Sequence, residues 1–223
     1  MSVEATLTGI YETSVKTSDY GLLYNNHVVT DIRGIAGLNW RVPTYDDVDA
    51  LRTELGGITF GGDAKEVSSV YWTSPNTSAT NSSGFSARGG GYRNHSTGTF
   101  SSLTELGTFR CSTVYASNYT YYYQFAYDNG SFYIAGAHEN MGTSIRLIKE
   151  STILSDGETS YYIGNDGKIY NTICIGTQEW MSQNLAETLY SNLDPISIVT
   201  DGGIWSVLTT GALCVYNNDW NNL

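Results

Sequence analysis

The sequence predicts an α+β fold with short antiparallel strands, two helices and long ordered loops. Charged residues make up only 15% of the chain, whereas Gly, Ser, Thr, Asn and Tyr are abundant, and this composition favours strands and turns. One segment carries a complete set of helix signals. Several others alternate between apolar and polar residues and are separated by Asx-Gly turns. At 223 residues, one domain or two small ones could bury a core.

The clearest helix is predicted over residues 45–55. Thr44 stands at the N-cap position and Asp47 three residues later, which is the spacing of a capping box. Apolar residues inside the segment repeat with a helical period, and Gly56-Gly57 ends it. A second, shorter helix is predicted near residues 203–208, after Asp201.

Six segments alternate in the manner of strands, namely residues 71–73, 121–127, 131–134, 144–148, 161–164 and 168–175. Asp128-Asn129-Gly130 is a strong turn signal between the second and third segments, and residues 165–167 (Asn-Asp-Gly) form another between the last two. These signals predict two β-hairpins. Residues 73–91 are mostly Ser, Thr, Asn and Gly and are expected to form loops.

The formal net charge of −11 argues against nucleic acid or an anionic membrane surface as a partner. No apolar run is long enough to span a bilayer and no leader pattern is present, so no membrane insertion is expected. Cys111, Cys174 and Cys214 are too scattered for a disulfide framework or a zinc site. We expect three buried thiols, with a Cys174–Cys214 bridge as the alternative.

Residues 115–140 are the most unusual part of the sequence. They contain seven tyrosines among Asn, Ser, Gly, Ala, Phe and His. Tyrosine offers a large, rigid, amphipathic contact surface at low entropic cost, while Ser, Gly and Asn add adaptable hydrogen bonds, as in antibody combining loops. This composition predicts a surface that binds another macromolecule.

Some of these rings must be structural, because one face of a strand packs on the core. Strand alternation gives two sets, Tyr121, Tyr123, Phe125 and Tyr127 on one face and Tyr122, Gln124 and Ala126 on the other. The sequence does not say which set is buried.

The candidate ligand-binding residues are Arg110, Tyr115, Asn118, Tyr119, Tyr121, Tyr123, Gln124, Tyr127, His138 and Asn140. Those expected to be most exposed are Tyr115, Asn118, Tyr119, His138, Glu139 and Asn140. The expected core anchors are Trp40, Trp72, Trp180 and Trp205.

No metal site or cofactor is predicted. His27, His95 and His138 are far apart in the sequence and lack metal-ligand spacing. Asx pairs such as Asp128-Asn129 could offer oxygen ligands to calcium, which is left open, although turn formation explains these residues equally well. No Gly-x-Ser-x-Gly elbow, phosphate loop or His-Glu-x-x-His motif is present, so an enzyme is not expected.

Nine phrases resemble the Fibrobacter succinogenes major paralogous domain, a branch of the C-type lectin fold near the formylglycine-generating-enzyme type. They are YGLLYN (20–25), WRVPT (40–44), GFSA (84–87), GGYR (90–93), SIRLIK (144–149), DGKIYNT (166–172), IGTQEWM (175–181), QNL (183–185) and YNND (216–219). The resemblance implies a C-type lectin-like fold. In that family the phrases found here at residues 166–219 come first, so the two parts stand in exchanged order.

This order leads us to predict that residues 1–223 form a single, permuted lectin-type domain. Residues 16–149 would correspond to the family's second part and residues 161–223 to its first. A linker such as residues 150–160 could join them, because permutation is tolerated where termini lie close together. The alternatives are a chain that begins and ends within modules of a tandem array, and a homo-oligomer in which halves of neighbouring chains complete each other.

The same resemblance extends to the variable proteins of diversity-generating retroelements, which occur in phage tail adhesins and bacterial surface proteins. Residues 110–140 have the residue types of their diversified positions, and Arg110 stands where the family usually has an aromatic residue. We therefore expect a diversified adhesin of a phage tail or bacterial surface that binds a cell-surface protein or glycan. The alternative is a structural repeat module of an envelope or phage protein with no ligand of its own. An oxidase-like enzyme would need a close cysteine pair, which the sequence lacks.

Overall fold

The computed structural model describes residues 20–222. The helices are α1 (Asn26–Thr30), α2 (Tyr45–Glu54) and α3 (Gly202–Ser206), with 3₁₀ helices at Ile58–Ala64, Tyr216–Asn218 and Trp220–Asn222. The strands are β1 (Leu23–Tyr24), β2 (Trp40–Arg41), β3 (Gly90–Arg93), β4 (Phe100–Leu103), β5 (Leu106–Ala116), β6 (Tyr119–Ala126), β7 (Tyr133–His138), β8 (Ile148–Lys149), β9 (Thr159–Ile163), β10 (Ile169–Ile175), β11 (Gln178–Met181), β12 (Ser197–Ile198) and β13 (Ala212–Cys214). The predicted mixture of helix and strand is confirmed. Among the described helices, none has the length and apolar character needed to cross a membrane.

Helix α2 forms where its capping signals predict it. The Thr44 hydroxyl accepts a hydrogen bond from the Asp47 backbone N–H at 3.2 Å, and the Asp47 carboxylate accepts one from the Thr44 backbone N–H at 2.7 Å. The capping box is therefore complete. Val48 and Leu51 fill the buried face of the helix.

Helix α3 is shorter than predicted. The Asp201 carboxylate caps it by accepting a hydrogen bond from the Ile204 backbone N–H at 2.8 Å, and the helix ends at Ser206. Trp205 is buried, as expected, and Leu208 packs partly against the same cluster after the helix has ended. Helix α1 escapes prediction because it has five residues and no side-chain cap.

The strands of the described chain form three sheets, with the orders β1-β13-β12, β2-β8-β11-β10-β9 and β4-β3-β5-β6-β7. In the third sheet, β5, β6 and β7 make two successive antiparallel hairpins. Strands β5 and β6 stay paired from Leu106 opposite Ala126 to Ala116 opposite Tyr119, with irregular register after Arg110. This sheet carries the Tyr-rich segment.

Both predicted hairpins are confirmed, as β6–β7 and β9–β10. The predicted strand at residues 71–73 is wrong, because these residues form a turn, and the Trp72 indole N–H anchors it by donating to the Ala87 carbonyl at 2.9 Å. Of the predicted strand at residues 144–148, Ile148 alone lies in a named strand. The Ile145 and Leu147 carbonyls each accept one backbone hydrogen bond, from Leu185 and Met181 respectively, and Ser144 forms an isolated parallel bridge with Phe109.

Two large apolar clusters and a smaller third one form the core. The four predicted anchors, Trp40, Trp72, Trp180 and Trp205, are all buried. Cys111, Cys174 and Cys214 are free and buried, which confirms the expectation of three thiols rather than a bridge.

Strands from the two parts of the chain lie side by side in the same sheets. Strand β13 pairs with β1, and β11 pairs with β8. The buried Arg93 side chain donates to the backbone carbonyls of Val199 at 2.6 Å and Thr200 at 2.8 Å. Buried Arg146 donates to the side-chain oxygen of Asn184 at 3.0 Å. Because residues 1–19 and 223 lie outside the described range, the single permuted domain of residues 1–223 stays a prediction.

Candidate functional site

The tip of the β5–β6 hairpin is exposed at every residue from 114 to 119. The exposed fractions are 68% for Val114, 55% for Tyr115 and 40% for Tyr119. Asn118 adopts a φ of 62°, a left-handed conformation that Asn tolerates better than most residues, and so forms the turn. Tyr115, Asn118 and Tyr119 are therefore exposed, as the sequence predicts.

Six aromatic rings near this tip form a surface that we term the tip patch: Tyr45, His95, Tyr115, Tyr119, Tyr121 and His138. The Tyr121 ring centroid lies 4.6 Å from that of Tyr45 and 5.0 Å from that of Tyr115. The Tyr119 ring is edge-on to His138 at 5.4 Å. Tyr119 and Tyr121 are two residues apart on β6 and share a face, so the two groups of rings adjoin. Contacts of this kind are worth about 0.5–1.5 kcal/mol each and hold the rings in place.

His138, the last residue of β7, contributes one ring of the tip patch. Its Nδ1 accepts a hydrogen bond from the Asn140 backbone N–H at 3.1 Å, so the neutral ring carries its proton on Nε2. Burial lowers the pKa of His138, and the neighbouring His95, stacked on it at 4.5 Å, lowers it further. His95 and His138 are therefore closer in space than their positions in the sequence suggest. His27 also lies in this region, because its Nε2 is 3.9 Å from Oε1 of Glu139, the residue after His138. Within residues 20–222, no group of three His, Cys, Asp or Glu side chains could hold a metal ion.

In the half of β6 farther from the tip, the odd-numbered residues face the core. Tyr123 and Phe125 are buried, and the Tyr123 ring stacks on Phe109 at 5.1 Å. Tyr123 therefore cannot contact a partner, and its prediction as a ligand-binding residue is wrong. Tyr121 and Tyr127 are half-buried against the same cluster. Tyr127 follows the end of β6 farthest from the tip patch and contributes to packing, whereas Tyr121 belongs to the patch.

Arg110 is fully buried, which contradicts its prediction as a ligand-binding residue. Its guanidinium donates to the Thr120 hydroxyl at 2.8 Å, to the Thr143 hydroxyl at 3.3 Å and to the Met141 carbonyl. Longer bonds reach the carbonyls of residues 137 and 138. Burial lowers the pKa of Arg110 to about 10. The side chain therefore fastens β5 to β6 and to the loop after β7.

Asn140 is also buried, so its expected exposure is wrong. His138 and Glu139, which were expected to be exposed, are half-buried. The Asn140 Nδ2 donates to the Ser206 carbonyl at 3.1 Å, and its Oδ1 lies 3.0 Å from Nε2 of His27. Its backbone carbonyl accepts a hydrogen bond from the Trp205 indole at 2.7 Å. These bonds join the loop after β7 to α1 and α3, so Asn140 supports the tip patch from beneath.

The other face of β6 borders a depression of about 310 Å³ that we term the hairpin groove. It is lined by Gln124, Ala126, Asn129, Ser131 and Tyr133. Tyr133 lies opposite Gln124 across the two strands and is 53% exposed. Its ring centroid lies 6.3 Å from that of Tyr122. Of the predicted residues, Gln124 belongs to this surface. The sequence-based prediction misses Tyr122 and Tyr133. Tyr122 alternates with Gln124 along β6, and this position was the signal that could have identified it.

The Asx pairs use their side chains in turns. Asn129 Oδ1 accepts a hydrogen bond from the Ser131 backbone N–H, and Asn129 Nδ2 donates to Asp128 Oδ1, both at 2.9 Å. In the second turn, Asp166 Oδ1 accepts a hydrogen bond from the Lys168 backbone N–H at 3.2 Å, while Asn165 Nδ2 donates to the distant carbonyls of Ile35 at 2.8 Å and Leu189 at 3.1 Å. These bonds support the turn interpretation.

Comparison with protein-family models matches residues 4–149 to the family described as Fibrobacter succinogenes major domain. The match covers well over half of the chain and includes the whole Tyr-rich segment. It ends before β9, so the resemblance of the later phrases to the same family stays a prediction. No curated protein and no solved structure matches the chain.

Proposed function

The chain belongs to the Fibrobacter succinogenes major domain family, and we propose that it is a recognition module with a C-type lectin-like fold that binds a cell-surface protein or glycan. No catalytic step is part of this proposal. The module would act as an adhesin of a phage tail or a bacterial surface, in which several copies per particle would add avidity.

The observation that carries the proposal is the tip patch. Clustered aromatic side chains at a surface are the usual energetic anchors of binding sites. In the tip patch, Tyr115 and Tyr119 are exposed and the other four rings are half-buried. The patch draws on five separate parts of the chain, because Tyr45 begins α2, His95 follows β3, and the remaining rings lie on β5, β6 and β7. A partner would therefore meet preformed rings and would bear little of the entropic cost of ordering them.

We extend the proposal to diversification of the hairpin. Residues 114–119 are exposed, so their side chains can change without disturbing the core, whereas Arg110 and Tyr123 are fully buried. Sequences of the same locus in sibling isolates should then differ at residues 114–119, Tyr122 and Tyr133 while sharing Arg110 and Tyr123. Differences spread evenly over the chain would contradict diversification and leave recognition untouched.

The second candidate is a structural repeat module, and one observation favours it. Tyr161, Ile163 and Ile169 are 61%, 56% and 45% exposed on the β9–β10 hairpin, and Ile163 lies directly opposite Ile169. An apolar pair of this kind suits contact with a neighbouring module or subunit. This face is distant in sequence from the tip patch, so the two candidates can be tested separately.

A binding screen tests the proposed function. The purified, fluorescently labelled chain is titrated onto intact cells of a panel of bacterial strains and analysed by flow cytometry. Saturable binding to some strains, removed by excess unlabelled chain, is the expected result. Absence of saturable binding to every strain, together with self-association that Tyr161→Ser abolishes, would overturn recognition in favour of the structural module.

A further inference from the structure

The hairpin groove is a second surface, distinct from the tip patch. Alternation along β6 places Gln124 and Tyr122 on the face opposite to Tyr121 and Tyr123. Burial raises the pKa of Tyr122, and the nearby hydroxyls of Tyr133 and Tyr92 raise it further. The rings of Tyr122 and Tyr133, with centroids 6.3 Å apart, therefore lie together beside the groove.

Buried contacts fix the walls of the groove. Lys65 is 1% exposed, and its ammonium group donates to the backbone carbonyls of Thr77 at 2.7 Å, Ala126 at 2.8 Å and Asn129 at 3.0 Å. Two of these carbonyls belong to residues that line the groove. The Gly130 carbonyl, between the lining residues, accepts a hydrogen bond from the Gly61 backbone N–H at 2.8 Å. The groove is thus preformed rather than made on binding.

The groove offers uncharged polar groups. Gln124 Nε2 donates to the Thr108 hydroxyl at 2.9 Å, which orients the amide. Across the described residues, the Gln124 carbonyl oxygen, the Ser131 hydroxyl and the Tyr133 phenol have no hydrogen-bond partner. None of the five lining residues is charged, and the Lys65 ammonium is already satisfied by three carbonyls.

The uncharged polar lining of the groove favours some types of ligand over others. An anionic ligand would find no free cation, and an aliphatic one would meet Ala126 as the sole aliphatic lining residue. A ring bearing several hydroxyls suits the groove, because hydroxyls can bond to an amide, a hydroxyl and a phenol while C–H faces pack on tyrosine. A volume of about 310 Å³ is at the small end of ligand sites, so one or two sugar rings would fill it.

We propose that the hairpin groove binds a neutral saccharide, with Tyr133 packing on the sugar ring and Gln124 and Ser131 bonding to its hydroxyls. This site goes beyond the proposed function, because a partner bound at the tip patch would not occupy it. The two surfaces would bind independently, and loss of one would leave the other intact.

The test uses an array of neutral hexose oligosaccharides together with their sulfated and sialylated counterparts, followed by calorimetric titration of the chain with each hit. Tyr133→Ala should weaken the affinity for a neutral saccharide at least tenfold. Tyr119→Ala, which removes an exposed ring from the tip patch, is the matched control and should change it less than twofold. Thermal unfolding of each variant checks that the fold is kept, and the Gln124 side-chain amide signal should shift on titration of the wild type.

Four results would overturn the groove as a saccharide site. They are no binding of any neutral saccharide, equal or tighter binding of the charged counterparts, unchanged affinity in Tyr133→Ala, and a loss in Tyr119→Ala instead. The last result would place the sugar at the tip patch, so the proposed function would stand while this inference fails.

Discussion

The ring of Tyr115 lies directly over the backbone of Gly136, where an added Cβ would come within 2.7 Å of the ring atoms Cγ and Cε1. Gly136 is the cross-strand partner of Tyr121, whose ring is edge-on to that of Tyr115. The φ of Gly136 lies outside the left-handed region, so glycine is needed here for space rather than for backbone conformation. The Tyr115 ring of β5 therefore contacts both the Tyr121 ring of β6 and the backbone of Gly136 in β7.

Replacing Gly136 by Ala should displace the Tyr115 ring and disturb the tip patch. We expect binding to a responsive strain to weaken about tenfold, or ~1.4 kcal/mol, while the free energy of unfolding falls by about 1–3 kcal/mol through overpacking. Gly203→Ala is the control, because its Cβ would meet its nearest neighbour, Asp201 Oδ1, at 3.3 Å. Full binding by Gly136→Ala would show that the Tyr115 position does not matter.

Arg110 should be essential for stability. Arg110→Leu removes the donor to Thr120, Thr143 and three backbone carbonyls and leaves buried acceptors unsatisfied. We expect the free energy of unfolding, measured with urea, to fall by about 3 kcal/mol or more. Arg52→Ala, which removes a partly exposed ion pair with Asp49, should change it by less than about 1 kcal/mol. Equal effects of the two substitutions would contradict the structural role of Arg110.

The buried carboxyl of Glu187 should make the protein less stable as pH rises through neutrality. Burial, and next the Asp166 carboxylate, raise the pKa of Glu187 to about 7. Its Oε1 has no hydrogen-bond partner within the described part of the chain, and its Oε2 accepts a hydrogen bond from the Asp166 backbone N–H at 3.2 Å. A carboxyl with a raised pKa in the folded state stabilises the fold below its unfolded pKa and loses that contribution as pH rises through about 7.

Glu187→Gln tests this pH dependence, because an amide keeps the shape of the protonated acid and cannot ionise. Between about pH 5.5 and pH 8.5, the free energy of unfolding of the wild type should fall relative to that of the variant. Glu150→Gln, at an exposed position, should follow the wild type. A wild type that gains stability relative to Glu187→Gln over this interval would show that the carboxyl is ionised and accommodated in the fold.

The His138 ring should resist protonation. Burial and the stacked His95 lower its pKa below the ordinary value of 6.5, and protonation would break the Asn140 N–H hydrogen bond to Nδ1. The lowered pKa means that the contribution of His138 to stability is present at neutral pH and is lost as pH falls through the folded-state pKa. NMR titration should give a midpoint below that ordinary value, and His95→Asn should raise it. A midpoint at or above the ordinary value would contradict this environment.

The elements that the sequence predicts well are those with local signals. The capping box of Thr44 and Asp47 and the turn at residues 128–130 each act within a few residues of the chain, and α2 and the β6–β7 hairpin form accordingly. Exposure of Tyr115 and Tyr119 follows for the same reason, since a short polar turn between strands reaches solvent.

The errors concern residues whose surroundings come from distant parts of the chain. Arg110 is buried by acceptors at residues 120, 137, 138, 141 and 143, which no pattern around residue 110 announces. Alternation along the sequence assigns the residues of β6 to two faces. Which face is buried depends on rings from other segments, such as Phe85 and Phe109, which pack on Tyr123. Sequence alone therefore yielded the segment and its alternation but not its orientation.

The most direct test of the account is the affinity of a tip-patch variant for cells of a strain that the wild type binds. In the double variant Tyr115→Ala/Tyr119→Ala, the dissociation constant should rise at least tenfold with no change in fold. The control Tyr161→Ala replaces a tyrosine on β9 that is more exposed than either of these two, and it should bind as the wild type does. Unchanged binding by the double variant, or an equal loss in Tyr161→Ala, would contradict the tip patch as the recognition surface.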